Sequence, residues 1–354
     1  MNENGFSYRL FTISDLKEWL FHNVNNGLSD AVISRPRALA FVTDPHALPE
    51  DPALAVVFNN QNEPVGYTGA FAERWVRPAL PERYFWGSTQ WMEPQYRGKG
   101  VSWKMMRQIK DAVLDRYVAL ESSIASCRLD EKQGSVISYY PRYYILLKSK
   151  RNTLKSKLKE CLVRRSIKKA LDAMSPFVYS NRYVNWIDDK TYAFIVAHSS
   201  HDLFLREQDY LNWQLRNPFL ISTGHDRKLE AERCEFGGNV SRQQIIQVQV
   251  LVEGKLCGYY VLNLVGPICT VLYLYYEAAF CNQVFASLAA VALTKDNVEK
   301  IRSFNKDLID FMMKMGVRSM NSKNMVDQVS LTVPSGFVVD ASLSLQGGDG
   351  DMVC

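Results

Sequence analysis

No stretch of this chain reaches the ~18 uninterrupted apolar residues of a helical membrane span. The first residues, Met1 to Ser7, have neither the basic start nor the apolar core of an export signal, so a cytoplasmic location is expected. The seven cysteines, at 127, 161, 234, 257, 269, 281 and 354, form no CxxC pair, and no histidine stands at ligand spacing from them. Reduced structural thiols and no metal are the expectation. An excess of one charge spread over a whole domain is also missing. Residues 148–172 hold ten Lys/Arg against Glu160 and Asp172, while the net charge of the whole chain is only +5, so the remainder is net negative. That distribution excludes a general nucleic-acid surface. With 47% hydrophobic and 22% charged residues, extended disorder is excluded too. A length of 354 residues suits two cores of about 150 residues each.

Two cores also follow from an internal repeat. Ala53–Phe58, Asn59–Pro64 and Val65–Phe71 read as strand, polar turn and strand, and Ile245–Val252, Glu253–Lys255 and Leu256–Leu264 repeat that order. The second strands share Val65-Gly66-Tyr67 and Cys257-Gly258-Tyr259. In the first half a strand over Arg83–Trp91, a helix over Val101–Val118, a strand over Ser122–Ser126 and a helix over Ser135–Tyr140 are expected. In the second, Thr270–Tyr276, Gln283–Leu293, Lys300–Phe304 and Lys306–Met315 follow in the same order, with Gly316 as a stop. Strand-then-helix alternation implies an α/β chain whose mixed sheets are flanked by helices.

The expected boundaries are a first domain over 1–147, a basic helical linker over 148–175 and a second domain over 176–354. Within the linker, Leu154, Leu158 and Leu162 form one helical stripe, and Val163, Ile167 and Leu171 form another on a different side. A connecting helix across both domains is favoured over an amphipathic helix on an anionic membrane. The tail Gly347-Gly348-Asp349-Gly350-Asp351 reads as flexible, and Phe337-Val338-Val339 before it as a last strand.

Chemistry is concentrated in Trp86-Gly-Ser-Thr-Gln-Trp91-Met92-Glu-Pro-Gln95-Tyr96-Arg97-Gly98-Lys99-Gly100-Val101-Ser102, where a β-rich stretch turns through two glycines into a helix. Exposed amides at a helix start attract phosphate, and the glycines let a ligand approach the backbone. Arg97 and Lys99 add positive charge. An ordinary tight turn is the plain alternative.

The run resembles the pyrophosphate loop of the GCN5-related N-acetyltransferase superfamily, Gln/Arg-x-x-Gly-x-Gly/Ala, present here as Gln95-Tyr96-Arg97-Gly98-Lys99-Gly100. The resemblance extends over about Tyr8 to Leu147, because hairpin, third strand, loop and helix occur in the family's order. It implies two tandem copies of the acetyltransferase fold and acetyl-CoA as cosubstrate. Trp91, Met92 and Gln95 through Ser102 would hold it, with amides from Gln95 to Val101 on the pyrophosphate and the strand before them along the pantetheine. The acyl carbonyl would lie where Arg83–Trp91 and Ser122–Ser126 splay apart, and an amine would attack it directly. Cys127 is then a packed strand-end residue. Comparison with the family's helix ending places Tyr140, with Tyr139 next, as the proton donor to the leaving thiolate, although Tyr143-Tyr144 replaces the usual Gly-Phe. A packing tyrosine is the alternative.

Glu73 and Glu82 are the candidate bases, each also readable as a solvated surface carboxylate. Trp75, Trp86 and Trp91 read as core or pocket wall. The second half resembles the same fold without its chemistry, since Tyr276-Glu277-Ala278-Ala279-Phe280-Cys281 contains no glycine. Tyr210-Leu-Asn-Trp213-Gln-Leu-Arg216-Asn-Pro218 resembles a helix end in acetyltransferase-like proteins of bacterial polysaccharide loci, which favours an amino sugar among small-molecule amine acceptors. Two alternatives stay open: an aminoacyl or peptidyl transferase of the same fold, and a non-catalytic acyl-CoA-binding module.

Overall fold

In a computed structural model of the chain, residues 5–24, 27–29, 32–74, 83–148, 153–217, 243–295, 297–320, 325–337 and 342–350 are described. The first half runs β1 Ser7–Thr12, α1 Ile13–His22, α2 Arg35–Val42, β2 Pro52–Phe58, β3 Pro64–Arg74, β4 Arg83–Met92, α3 Val101–Ala112, β5 Tyr117–Leu120, α4 Ile124–Lys132 and β6 Val136–Leu146. Then α5, Leu154–Met174, crosses to β7 Ser180–Val184, α6 Asp189–His198, α7 Gln208–Arg216, β8 Gln243–Val252, β9 Lys255–Val265, β10 Ile268–Tyr276, α8 Cys281–Leu293, β11 Lys300–Ser303, α9 Lys306–Lys314 and β12 Val326–Val333.

The repeat is present, and one hydrogen bond shows how closely the halves correspond. Glu93 donates its amide to Val65 at 2.9 Å, and Glu277 donates its amide to Cys257 at 3.0 Å. A single 3₁₀ turn follows each, Pro94–Tyr96 and Ala278–Phe280. The recurring Gly-Tyr has a packing cause. A Cβ on Gly66 would meet the Met92 methyl at 2.4 Å, and one on Gly258 would meet Val284 at 2.3 Å.

The twelve strands form one sheet, ordered β1-β2-β3-β4-β5-β12-β6-β11-β10-β9-β8-β7. Each half lends its last strand to the other. β12 fills the place beside β5, with Leu331 opposite Leu120, while β6 pairs with β11 from Lys300–Leu146 to Ser303–Tyr143. The two lent strands pair with each other over Val326–Tyr143 through Val333–Val136.

Four expectations change here. The helix after the glycine turn stops at Ala112, because Leu114 and Asp115 take positive φ and break its hydrogen-bond ladder. The short strand is therefore β5, and Ser122–Ser126 instead opens α4, with Ser123 capping the Ser126 amide. Ser135–Tyr140 is not a helix. It enters β6, where residues 136–143 pair with β12 and residues 143–146 with β11, so sheet pairing overrides local pattern. Cys127 is buried on α4 rather than at a strand end.

The described part of the tail is seated rather than loose: Gly347, Gly348, Asp349 and Gly350 are all buried. Phe337 follows a turn, and the rest of the expected last strand, 338–339, lies outside the described residues.

One face of the sheet carries α3 and α4 over the first half and α5, α8 and α9 over the second. The other face carries α1, α2, α6 and α7. On it, Trp213 of α7 packs on Phe71 of β3 and donates to the Ala40 carbonyl at 3.2 Å, so second-half residues build the first half's core.

Candidate functional site

Parallel strands β4 and β5 pair at only two positions, Phe85–Tyr117 and Trp86–Val118, and then separate. From this opening a cleft of about 670 Å³ runs to the start of α3. Gly87 lets the Tyr117 ring of β5 lie against β4, since a Cβ there would stand 2.0 Å from the Tyr117 hydroxyl.

Gly98 and Gly100 have φ of +74° and +78°, and a Cβ on either would meet nothing within 4 Å. Glycine is needed here for backbone conformation, not for space. Gly100 is the N-cap of α3 and no side chain caps that end. The first-turn amides lack intrahelical partners and face the cleft at the positive end of the helix dipole. On its inner side α3 buries Val101, Met105, Met106 and Ile109 against the strands, which fixes the direction of those amides.

Of the residues expected to hold the cofactor, Trp91, Met92, Arg97, Gly98, Gly100 and Ser102 line the cleft. Trp91 stacks on Tyr67 at 5.8 Å, and Arg97 donates from Nε to the Met92 carbonyl at 2.8 Å, tying the loop to the end of β4. Lys99 lies 5.8 Å over the Tyr96 ring, and Tyr96 itself packs edge-on against Phe6 at 5.3 Å. Gln95 donates to the Glu93 carboxylate at 2.9 Å, and Val101 is buried in the core beneath the loop.

The proposed catalytic residues are not brought together. Tyr139 and Tyr140 lie on β6 and line a second cleft of about 560 Å³, with Phe304, Asn305, Lys306 and the tail residues Leu343 to Leu345. Glu73 is not a solvated surface group: it is 0% exposed, its carboxylate accepts the indole N–H of Trp86 and pairs with Arg206 Nε at 2.6 Å. Burial pushes its carboxyl up to about 7, with Arg206 opposing. Glu82 and Trp75 lie outside the described residues.

Ser122–Ser126 were expected beside the opening as a strand, whereas Tyr117, Glu121 and Asp130 were not singled out. Ser122, Ser123 and Ser126 line the cleft from the start of α4, and Tyr117 from β5. Glu121, the first residue past β5, has φ of +54° and receives two hydrogen bonds from Arg142 at 2.8 and 2.6 Å. Asp130 lies deeper, paired at 2.8 Å with the buried Lys110, and burial raises its carboxyl.

At the corresponding place in the second half, α8 follows the 3₁₀ turn directly, with Phe280 as its N-cap and no residues matching Arg97–Gly100. Glu277 stands before that turn, its carboxylate 2.9 Å from Lys255. Glu93 stands at the same place in the first half, so the difference lies in the missing glycines: with none to expose the amides, this end is unsuited to phosphate.

No protein-family model matches the sequence, and no curated protein matches it with significance. Among solved structures, a candidate acetyltransferase from Pyrococcus horikoshii superposes with a TM-score of 0.50 at 10% identity, over 97% of this chain and 94% of its own. A GCN5-related N-acetyltransferase from Anabaena variabilis gives 0.49 at 10% identity, covering 92% and 72%. A tandem GNAT protein from the clavulanic acid biosynthesis pathway gives 0.48 at 14% identity, covering 94% and 99%. The chain shares its fold with the Pyrococcus horikoshii protein, and within it one order of strands and helices occurs twice, with the positive-φ glycine turn in the first copy.

Proposed function

We propose that the chain transfers an acetyl or other short acyl group from coenzyme A to an amine, with the cofactor in the cleft between β4 and the start of α3. The observation that supports this most is the continuity of that cleft. It joins a strand opening, where a thioester can lie, to an uncapped helix start carrying two positive-φ glycines. A pyrophosphate at Gly98–Val101 would place the pantetheine along β4, whose backbone is free of β5 beyond Trp86.

In this reading the amine attacks the thioester carbonyl directly. The new C–N bond forms as the C–S bond breaks, one proton leaves the nitrogen, and the thiolate takes up another. Glu121, held bidentately beside the opening, is the carboxylate proposed to orient the amine and receive its proton. Hydroxyls of Tyr117, Ser122 and Ser126 line the same cleft and are the proposed donors to sulfur. Tyr140, assigned that role from sequence, is better matched to the second cleft, where aromatic rings beside Asn305 and Lys306 suit a polyhydroxylated acceptor such as an amino sugar.

Calorimetry with acetyl-CoA tests the cofactor assignment: binding to the wild type that is lost in Gly98→Glu, with the fold retained, supports it. Unchanged affinity in that variant refutes it. Release of free thiol in the presence of candidate amines then separates a transferase from a module that only binds acyl-CoA.

A further inference from the structure

The opening between β4 and β5 has a back wall, and part of that wall comes from the far end of the chain. On the sheet face opposite α3, Leu120 of β5 lines the opening, and it packs on the cluster that holds Trp86 of β4, which is 0% exposed. Gly350 lies against both. A Cβ built on it would stand 3.2 Å from Leu120 Cβ and 3.3 Å from the Trp86 ring.

The segment that carries Gly350 is fastened at several points. Ser344 donates its amide to the His201 carbonyl at 2.7 Å and accepts from Leu203 at 2.9 Å, and Gln214 donates to the Gly348 carbonyl at 2.8 Å. Asp349 pairs with Arg206 at 2.5 Å, and Arg206 pairs with Glu73 at 2.6 Å. Glu73 in turn accepts the Trp86 indole N–H. The contacts form a closed ring, Trp86 to Glu73 to Arg206 to Asp349 to Gly350 and back to Trp86. It joins two first-half strands, β3 and β4, the loop before α7 and the C-terminal segment, and its three charged side chains are no more than 1% exposed.

Mutual attraction seldom recovers the cost of taking such charges out of water, and an apolar plug would fill the space as stably. What an ion-paired ring provides is a single position for the indole and for the backbone behind it.

We propose that this ring sets the depth of the acyl pocket, so that short acyl groups fit and longer chains are stopped at Leu120, which Trp86 and the C-terminal segment hold in place from behind. The proposal rests on the cofactor reading above and names the acyl class selected at that site. Leu120, backed by Trp86 and Gly350, is the stop, and Asp349 is a positioning residue that acts through Gly350.

Calorimetric titration of free CoA, acetyl-CoA and hexanoyl-CoA into the wild type, Trp86→Ala, Leu120→Ala and Asp349→Asn is the test. A methylene that becomes buried is worth about fourfold in affinity. The wild type is expected to bind hexanoyl-CoA no more tightly than acetyl-CoA. In Trp86→Ala and Leu120→Ala the preference should move toward hexanoyl-CoA by about tenfold or more, with free CoA affinity unchanged within about twofold. Asp349→Asn, which keeps volume and removes the ion pair, should move it in the same direction by a smaller factor.

A wild-type affinity that already rises about fourfold per methylene overturns the proposal. So does an unmoved preference in the folded variants; if Trp86→Ala does not fold, Leu120→Ala decides. A shift in Leu120→Ala with none in Asp349→Asn overturns the tail's part. Absence of any CoA binding to the folded wild type refutes the cofactor reading and this inference together, which distinguishes the two failures.

Discussion

Arg206 lies between two buried carboxylates, and Arg206→Met is the perturbation whose size the structure determines best. The substitution keeps most of the side-chain volume and removes the charge that both Glu73 and Asp349 face at 2.6 and 2.5 Å. Breaking a buried ion pair from one side typically costs about 3–5 kcal/mol, because the remaining charge is left uncompensated. Unfolding entropy near 2.1 cal/mol/K per residue gives about 0.7 kcal/mol/K for this chain, so the melting temperature should fall by about 4–7 °C. The deficit should depend on pH in a definite direction. Burial raises both carboxyls, Glu73 to about 7, and without the guanidinium they rise further. A carboxyl raised in the fold favours folding at low pH, and that contribution is lost as pH climbs through the folded value. Scanning calorimetry at pH 5 and pH 8 should therefore show a smaller deficit at pH 5. The triple variant with Glu73→Gln and Asp349→Asn should recover most of the loss. An equal deficit at both pH values, or no recovery in the triple variant, would refute the charge argument and leave lost packing as the cause.

Glu73→Gln alone should flatten the fall in stability that the wild type shows between about pH 4.5 and 7, read as the difference between the two melting curves. Residues 1–147 expressed alone should fail to form a stable fold, because β12 is missing from between β5 and β6 and two strand edges are exposed. Recovery of a cooperative melt from that fragment would contradict the strand exchange as a requirement. Gly98→Ala should weaken acetyl-CoA binding while lowering stability by about 1 kcal/mol, since alanine is strained at a φ of +74°. Tyr140→Phe should leave acetyl-CoA affinity within about twofold, as its ring lines the second cleft, and affect only steps that involve the acceptor; parallel calorimetry and thiol-release assays would show a cofactor effect if the assignment is wrong.

The repeat, the hairpins and the glycine turn were legible because each is written in contiguous residues: alternating apolar patterns, polar turns, and Gly98 and Gly100 ahead of an amphipathic run. The bounds of β10, α8, β11 and α9 fell within two residues of expectation for the same reason. The same pattern misled at Ser135–Tyr140. A row of tyrosines carries no periodicity of its own, and only the neighbours β11 and β12 make it a strand. With that strand went the local argument for Tyr140 as proton donor. Glu121 could not be singled out, because its place beside the opening depends on a positive φ and on Arg142, both outcomes of the sheet's register.

The C-terminal glycines gave the opposite error. Glycine-rich sequence permits flexibility but also the closest packing, and at Gly347 and Gly348 there is no room for a Cβ beside Val271 and Tyr273. The sequence by itself determined two copies of one fold and which copy keeps the glycine turn, since both rest on local order. Only the tertiary structure decided that the copies exchange strands and that Glu73, Arg206 and Asp349 meet, because contacts 133 and 143 residues apart are set by how the sheet closes.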